Sequence, residues 1–130
     1  MISKEIQELI AKYRQTPLEA TYLSKLMDIR QNLVALGFEL GLETAEYKRL
    51  FDSANYSRKI SFYQFKSDSL SEGVTKAETL AEVKIKDLRE EEKTYESLYY
   101  GCKILLGQLN EVLSSIQQDL SILKSELNNQ

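Results

Sequence analysis

From Tyr95 to Leu127 the apolar residues advance by steps of four and three without a slip: Tyr95, Tyr99, Cys102, Leu106, Leu109, Leu113, Ile116, Leu120, Leu123 and Leu127. A repeat of this kind keeps one stripe of a helix facing a neighbouring helix along its whole length. The stretch contains no proline, and its glycines are Gly101 and Gly107. Thr75-Lys76-Ala77-Glu78 precedes it with capping-box spacing, in which Thr75 bonds the backbone three residues on and Glu78 reaches back. A long helix over about 76–127 is therefore expected.

Upstream, Ile6, Leu9, Ile10 and Tyr13 share one helical face behind Ser3, a possible N-cap, so a short amphipathic helix is expected over about 3–14. Thr16-Pro17-Leu18-Glu19 reads as a new start, with Thr16 capping, Pro17 in the first turn and Glu19 closing the box. Apolar residues then recur at Tyr22, Leu26, Ile29, Leu33, Leu36 and Leu40, and again at Tyr47, Leu50, Phe51, Ala54, Phe62 and Phe65, for a helix over about 17–70. Gly37 and Gly41 leave two readings open: close approach of another helix, or a kink or break near 37–43. Ser71-Glu72-Gly73-Val74 is the turn, with Gly73 free to take a left-handed conformation. Residues equidistant from Gly73 then face each other, and arms of roughly 50 residues would span about 80 Å. The predicted fold class is all-α: a long antiparallel, coiled-coil-like helical hairpin with a short N-terminal helix as a lid on its open end, in a single domain over 1–130.

Apolar residues off the main stripe, at Leu98, Tyr100, Ile104, Leu105, Val112 and Ile122, predict assembly into a multi-helix homo-oligomer, because a hairpin seam covers only one stripe of each arm.

Composition narrows the function. Seventeen basic and twenty acidic residues give a net charge of -3, which argues against a general nucleic-acid binder but leaves room for a local basic patch. With one cysteine and no histidine, neither an internal disulfide nor a structural zinc site is expected, and no metal site or cofactor is predicted. The start lacks the apolar centre of a signal peptide, and no apolar run approaches a membrane span, so a cytoplasmic protein without membrane contact is expected. Cys102 lies in the seam and reads as a small buried hydrophobe; without a histidine base it makes a poor nucleophile. No P-loop, dinucleotide fingerprint or nucleophile elbow occurs, so an enzyme is not expected.

Two segments stand out chemically. Between Tyr47 and Lys66, five basic residues face one acid, and the segment holds Tyr47, Phe51, Tyr56, Phe62, Tyr63 and Phe65, half of the chain's aromatic residues. Basic groups neutralise phosphates and rings stack on bases, so Lys48, Arg58, Lys59, Tyr63 and Lys66 are candidate ligands for a phosphate-bearing molecule or single-stranded DNA. The bland alternative is that the rings are seam and the lysines are solvated heads on stems that cover it. Opposite lies Asp87–Glu96, with five acids and two bases. Its adjacent carboxylates splay around the helix and fit charge pairing between helices better than a metal site. Arg58 falls within about 40° of Phe51, Ala54, Phe62 and Phe65 at 100° per residue, and Glu92 occupies a seam position on the other arm. An isolated buried charge is costly, so a partly buried ion pair is expected between Arg58 and Glu92, or Glu91 if the register slips.

The order of features runs from a short helix to a helix containing Ala54-Asn55-Tyr56-Ser57-Arg58-Lys59. A Ser/Glu/Gly turn then enters Lys76-Ala77-Glu78, an acidic tyrosine-containing run follows, and the chain closes on Leu109-Asn110-Glu111-Val112-Leu113-Ser114-Ser115-Ile116. Over roughly residues 45–125 this resembles small all-helical phage and prophage proteins associated with replication and recombination gene neighbourhoods. The resemblance implies a phage or mobile-element accessory protein and carries over no site residues. The expected function is a non-enzymatic interaction protein acting through a partner protein or single-stranded DNA. The alternatives are an oligomeric sponge that binds a phosphate-bearing nucleotide signal, and a purely structural coiled-coil assembly protein.

Overall fold

A computed structural model of the chain describes residues 1–129. Its secondary structure is all helical, with no strand among the described residues. The helices are α1 (Ile2–Arg14), α2 (Leu23–Asp68), α3 (Val74–Lys84) and α4 (Lys86–Asn128), with 3-10 turns at Ala20–Tyr22 and Leu70–Glu72.

Several helix ends differ from the sequence expectation, each for a local reason. The chain is helical from Ile2, with Met1 rather than Ser3 at the cap. Thr16 belongs to the end of α1: its hydroxyl donates to the Lys12 carbonyl at 2.7 Å. Glu19 is extended, so Thr16–Glu19 forms no capping box and α2 begins only at Leu23, after a 3-10 turn. The glycine pair does not interrupt α2, which runs without a break through 37–43. Gly73, with φ 100° and ψ 151°, occupies backbone space open mainly to glycine and caps α3 directly. Thr75 therefore lies inside the first turn, and no side chain caps that end. The single helix expected over 76–127 is divided at Ile85, whose φ of -96° and ψ of 10° leave the helical region while its amide still reaches the Ala81 carbonyl. Neither glycine nor proline marks this division. Arg89 spans it with two hydrogen bonds to Glu82, at 2.7 and 2.6 Å.

Packing divides the chain into two compact units: Met1–Glu43 with the chain from Cys102 onward, and Thr44–Gly101. In the first unit α1 and the adjoining parts of α2 and α4 surround one apolar core. Ile6 and Ile10 of α1, Leu26, Ile29, Leu33 and Leu40 of α2, and Leu105, Leu109, Val112, Ile116, Leu120 and Leu123 of α4 form it. The N-terminal helix is thus part of the core, and the lid expectation is corrected: Ile6 is 0% exposed. A helix of this length is marginal alone in water. Its apolar face gives it stability by packing into a core that also takes in Leu105 and Val112, which the sequence assigned to an intermolecular contact. The Tyr13 hydroxyl adds a tie, donating to Asp119 at 2.6 Å. Burial, together with the carboxylate it serves, raises the Tyr13 hydroxyl to about 12. Because the folded value lies above the unfolded one, this tie contributes fully below about pH 10 and is lost as pH rises towards 12. Tyr13→Phe should cost about 1 kcal/mol at neutral pH and remove that alkaline loss of stability, as denaturant titrations at pH 7 and pH 11 would show.

Gly37 and Gly41 divide in their roles. A Cβ at Gly37 would stand 2.9 Å from Cδ2 of Leu109, a buried core side chain, whereas a Cβ at Gly41 would meet nothing within 4 Å. Gly41→Ala should therefore raise stability by about 0.5–1 kcal/mol through helix propensity. Gly37→Ala should forfeit that gain, because Leu109 must shift in a packed core. Melting temperatures of the two variants, measured side by side, test the difference.

In the second unit the partners of α2 run backwards along α3 and α4. Phe51 meets Tyr99 at 6.4 Å between ring centres, Arg58 meets Glu92, and Lys66 meets Glu78. The segments are therefore antiparallel. Its fully buried apolar residues are Ala77, Ala81 and Ile85, two of them small. With so little aliphatic core, half-buried rings and polar pairs carry more of this unit's specificity than they do in the first.

Candidate functional site

The five candidate ligand residues all lie on α2 within the second unit, and the structure gives them different surroundings. Lys48 donates to Asp52 at 2.9 Å, and its ammonium lies 5.7 Å from the Phe51 ring centre and 5.5 Å from that of Tyr99. The hydrogen bond to Asp52 raises its pKa against a smaller effect of desolvation. Lys66 reaches Glu78 of α3 at 3.1 Å. Arg58 pairs through Nε with Glu92. Three of the five cations and rings are thus engaged by carboxylates of the same chain. Lys59 forms no ion pair among the described residues, and Tyr63 is 65% exposed with its ring edge-on to Phe62. One unengaged lysine and one exposed tyrosine do not make a phosphate cradle, which gathers several donors on one anion.

The polar centre of the unit is the Arg58–Glu92 pair. Both side chains are mostly buried, with 16% and 13% exposure. Glu92 also accepts from the Asn55 side-chain amide at 3.0 Å. Burial pushes the Glu92 carboxyl up, but the hydrogen bonds from Arg58 and Asn55 and the charges of Arg58 and Arg89 outweigh it, holding the group below the usual carboxylate range. Glu91, the alternative partner, is exposed. Asn55 escaped the sequence reading although it stands one helical turn before Arg58, within reach of the same carboxylate. A residue three positions from a seam arginine is the signal that would have found it.

The arrangement offers satisfied charge and stacked rings. Among the described residues no buried side-chain nitrogen or oxygen lacks a partner, and no group of histidine, cysteine, aspartate or glutamate is placed to hold a metal ion. Cys102 is half-buried. No described helix is long and apolar enough to cross a membrane.

No protein-family model matches the chain, and comparisons with curated proteins and with solved structures gave no match.

Apolar exposure is distributed differently from the sequence expectation. On α4, Leu98, Tyr100, Ile104 and Ile122 remain exposed, while Leu105 and Val112 are buried. The larger group lies on α2: in the first unit Met27, Val34, Phe38 and Leu42, and in the second Tyr56, Ile60 and Tyr63. These positions are the large apolar side chains that α2 leaves exposed.

Proposed function

We propose that this chain is a non-enzymatic interaction protein whose α2 and α4 form an antiparallel, coiled-coil-like hairpin that assembles with further copies. In this reading it presents helix faces to a partner protein in the host cytoplasm, as an accessory of phage or mobile-element DNA recombination or replication. The observation that carries the contact reading is the contrast on α2. Lys48, Arg58 and Lys66 are each matched by a carboxylate within the chain, while large apolar side chains stand exposed. Nucleic-acid affinity scales with the number of phosphates that cations neutralise. Cations already held by carboxylates must exchange partners to contribute, which disfavours single-stranded DNA and nucleotide ligands relative to a protein. The link to replication and recombination rests on the resemblance over roughly residues 45–125.

The test has two arms. Binding of a labelled single-stranded oligonucleotide, followed across salt concentration, should be negligible at physiological salt. Capture from phage-infected cells with the tagged chain should retain an identified replication or recombination protein. Strong, salt-dependent oligonucleotide binding would replace the protein partner with DNA, and tight binding of a cyclic nucleotide without DNA binding would favour the sponge.

A further inference from the structure

α2 carries two seams in the first unit. One is the core seam, Leu26, Ile29, Leu33, Leu36 and Leu40, whose members are buried or packed against the core. The other lies on the far side of the helix: Met27, Gln31, Val34, Phe38 and Gly41, again in steps of four and three, with Leu42 at its edge. At 100° per residue its centre stands about 140° from the centre of the core seam. Helices use this spacing to pack along another helix. Here the first unit leaves much of it open: Met27, Val34, Phe38 and Leu42 are 46%, 48%, 72% and 61% exposed.

We infer that this outer seam of α2 is the self-association face, and that it pairs antiparallel with the same seam of a second copy. The inference rests on the self-association in the proposed function and names its surface. Three observations select the occupant. First, the seam matches itself when reversed. Turned about a point between Val34 and Phe38, two copies place Val34 against Phe38 and Gln31 against Gly41, so that a larger side chain meets a smaller one in both layers. The space over Gly41 is open, with nothing within 4 Å of the Cβ position. Second, the seam carries no charge from Met27 to Leu42 at its contact positions. In a two-fold antiparallel contact every seam position lies opposite another position of the same seam, so a seam charge would be buried against an uncharged partner, and this seam has none. Gln31, the polar member, gives the pairing a register, as a single polar residue in a seam does. Third, the exposed area sets the strength of the contact. At about 150–250 Å² for a whole large side chain, the four exposed residues present on the order of 400 Å² per copy. Two copies cover on the order of 800 Å², below the roughly 1,200–2,000 Å² of stable specific interfaces, so the pairing is a weak one that fills at high micromolar concentration. Val34, Gln31 and Met27 also border a cleft of about 410 Å³ between α2 and α4, which gives the Phe38 ring of the second copy room beside Val34.

The experiment is mass measurement by light scattering on the full chain at high micromolar concentration, with circular dichroism on every variant. The native chain should show twice its 15.0 kDa mass. Phe38→Glu should return the mass to that of one copy with its helicity unchanged, because Phe38 is 72% exposed and supports no core contact. Ile104→Glu, on the exposed side of α4, should leave the native mass intact. A Phe38→Glu chain that keeps the native mass overturns the assigned face and leaves self-association standing. A native chain that stays at 15.0 kDa overturns both. Orientation is read by oxidising a mixture of Val34→Cys and Phe38→Cys chains in a Cys102→Ser background. Disulfides between the two variants should form ahead of Val34→Cys self-linkage, and the reverse order overturns the antiparallel pairing.

Discussion

Arg58→Leu is expected to lower the stability of the chain by about 3 kcal/mol, and Arg58→Leu with Glu92→Leu to recover much of the loss. The single change leaves the Glu92 carboxylate mostly buried, with Asn55 as its remaining side-chain donor. Removing one member of a buried pair typically costs about 3–5 kcal/mol, while replacing both by apolar residues is often close to neutral. The residual exposure of both side chains places this pair at the low end. The pH dependence follows from Glu92. Its folded-state pKa is depressed, so its contribution is present above the ordinary carboxylate value and is lost as pH falls through the lower folded value. The native chain should therefore lose stability in acid more steeply than the doubly substituted one. Urea titrations of the three proteins at pH 7 and pH 3 measure both effects. An Arg58→Leu chain with native stability would mean that the pair contributes nothing net to the fold.

Ile6→Ala is expected to cost about 2–5 kcal/mol, the range of a large-to-small change at a fully buried core position. Ile6 is 0% exposed and sits in the cluster with Leu105 and Val112. Large-to-small changes lose the transfer energy of the removed atoms and leave a cavity that the surroundings fill only in part. Deleting Met1–Gln15 goes further. It takes Ile6 and Ile10 out of the core shared with Leu105 and Val112 and removes the Tyr13 hydrogen bond to Asp119. That truncated chain should keep much of its helical circular dichroism but unfold at lower denaturant concentration and with a shallower transition. It should also gain a dye-binding apolar surface. A truncated chain with native denaturation behaviour would show that α1 is an appendage.

The two glycines show how far a linear pattern reaches. Their spacing announced either a close approach or a kink, and the sequence has no means to choose. The choice depends on what stands opposite, which is Leu109 at Gly37 and open space at Gly41. The ion pair has a similar history. A seam arginine and a seam glutamate were visible from the wheel, because a buried charge must find a partner wherever the chain folds. Glu91 and Glu92 differ by about 100° around the helix, and only packing selected Glu92. Among the candidate ligand residues, the sequence assembled a basic, aromatic segment by composition alone. Composition cannot register that Asp52, Glu78 and Glu92 stand where they engage Lys48, Lys66 and Arg58.

What the sequence determined by itself is the all-α class and the positions of the long apolar stripes on α2 and α4. Both follow from short-range periodicity, which every residue of a helix obeys regardless of its partners. Helix ends were less legible, because Thr16 and Thr75 carry capping chemistry that the backbone around Glu19 and Gly73 did not use. Tertiary structure decided which apolar face meets which neighbour. It gathered α1, Leu105 and Val112 into one core, and so took from α4 a surface that its own pattern left exposed. On α2 it left Val34 and Phe38 uncovered. Burial is a property of pairs of surfaces, and a single helix sequence specifies only one member of each pair.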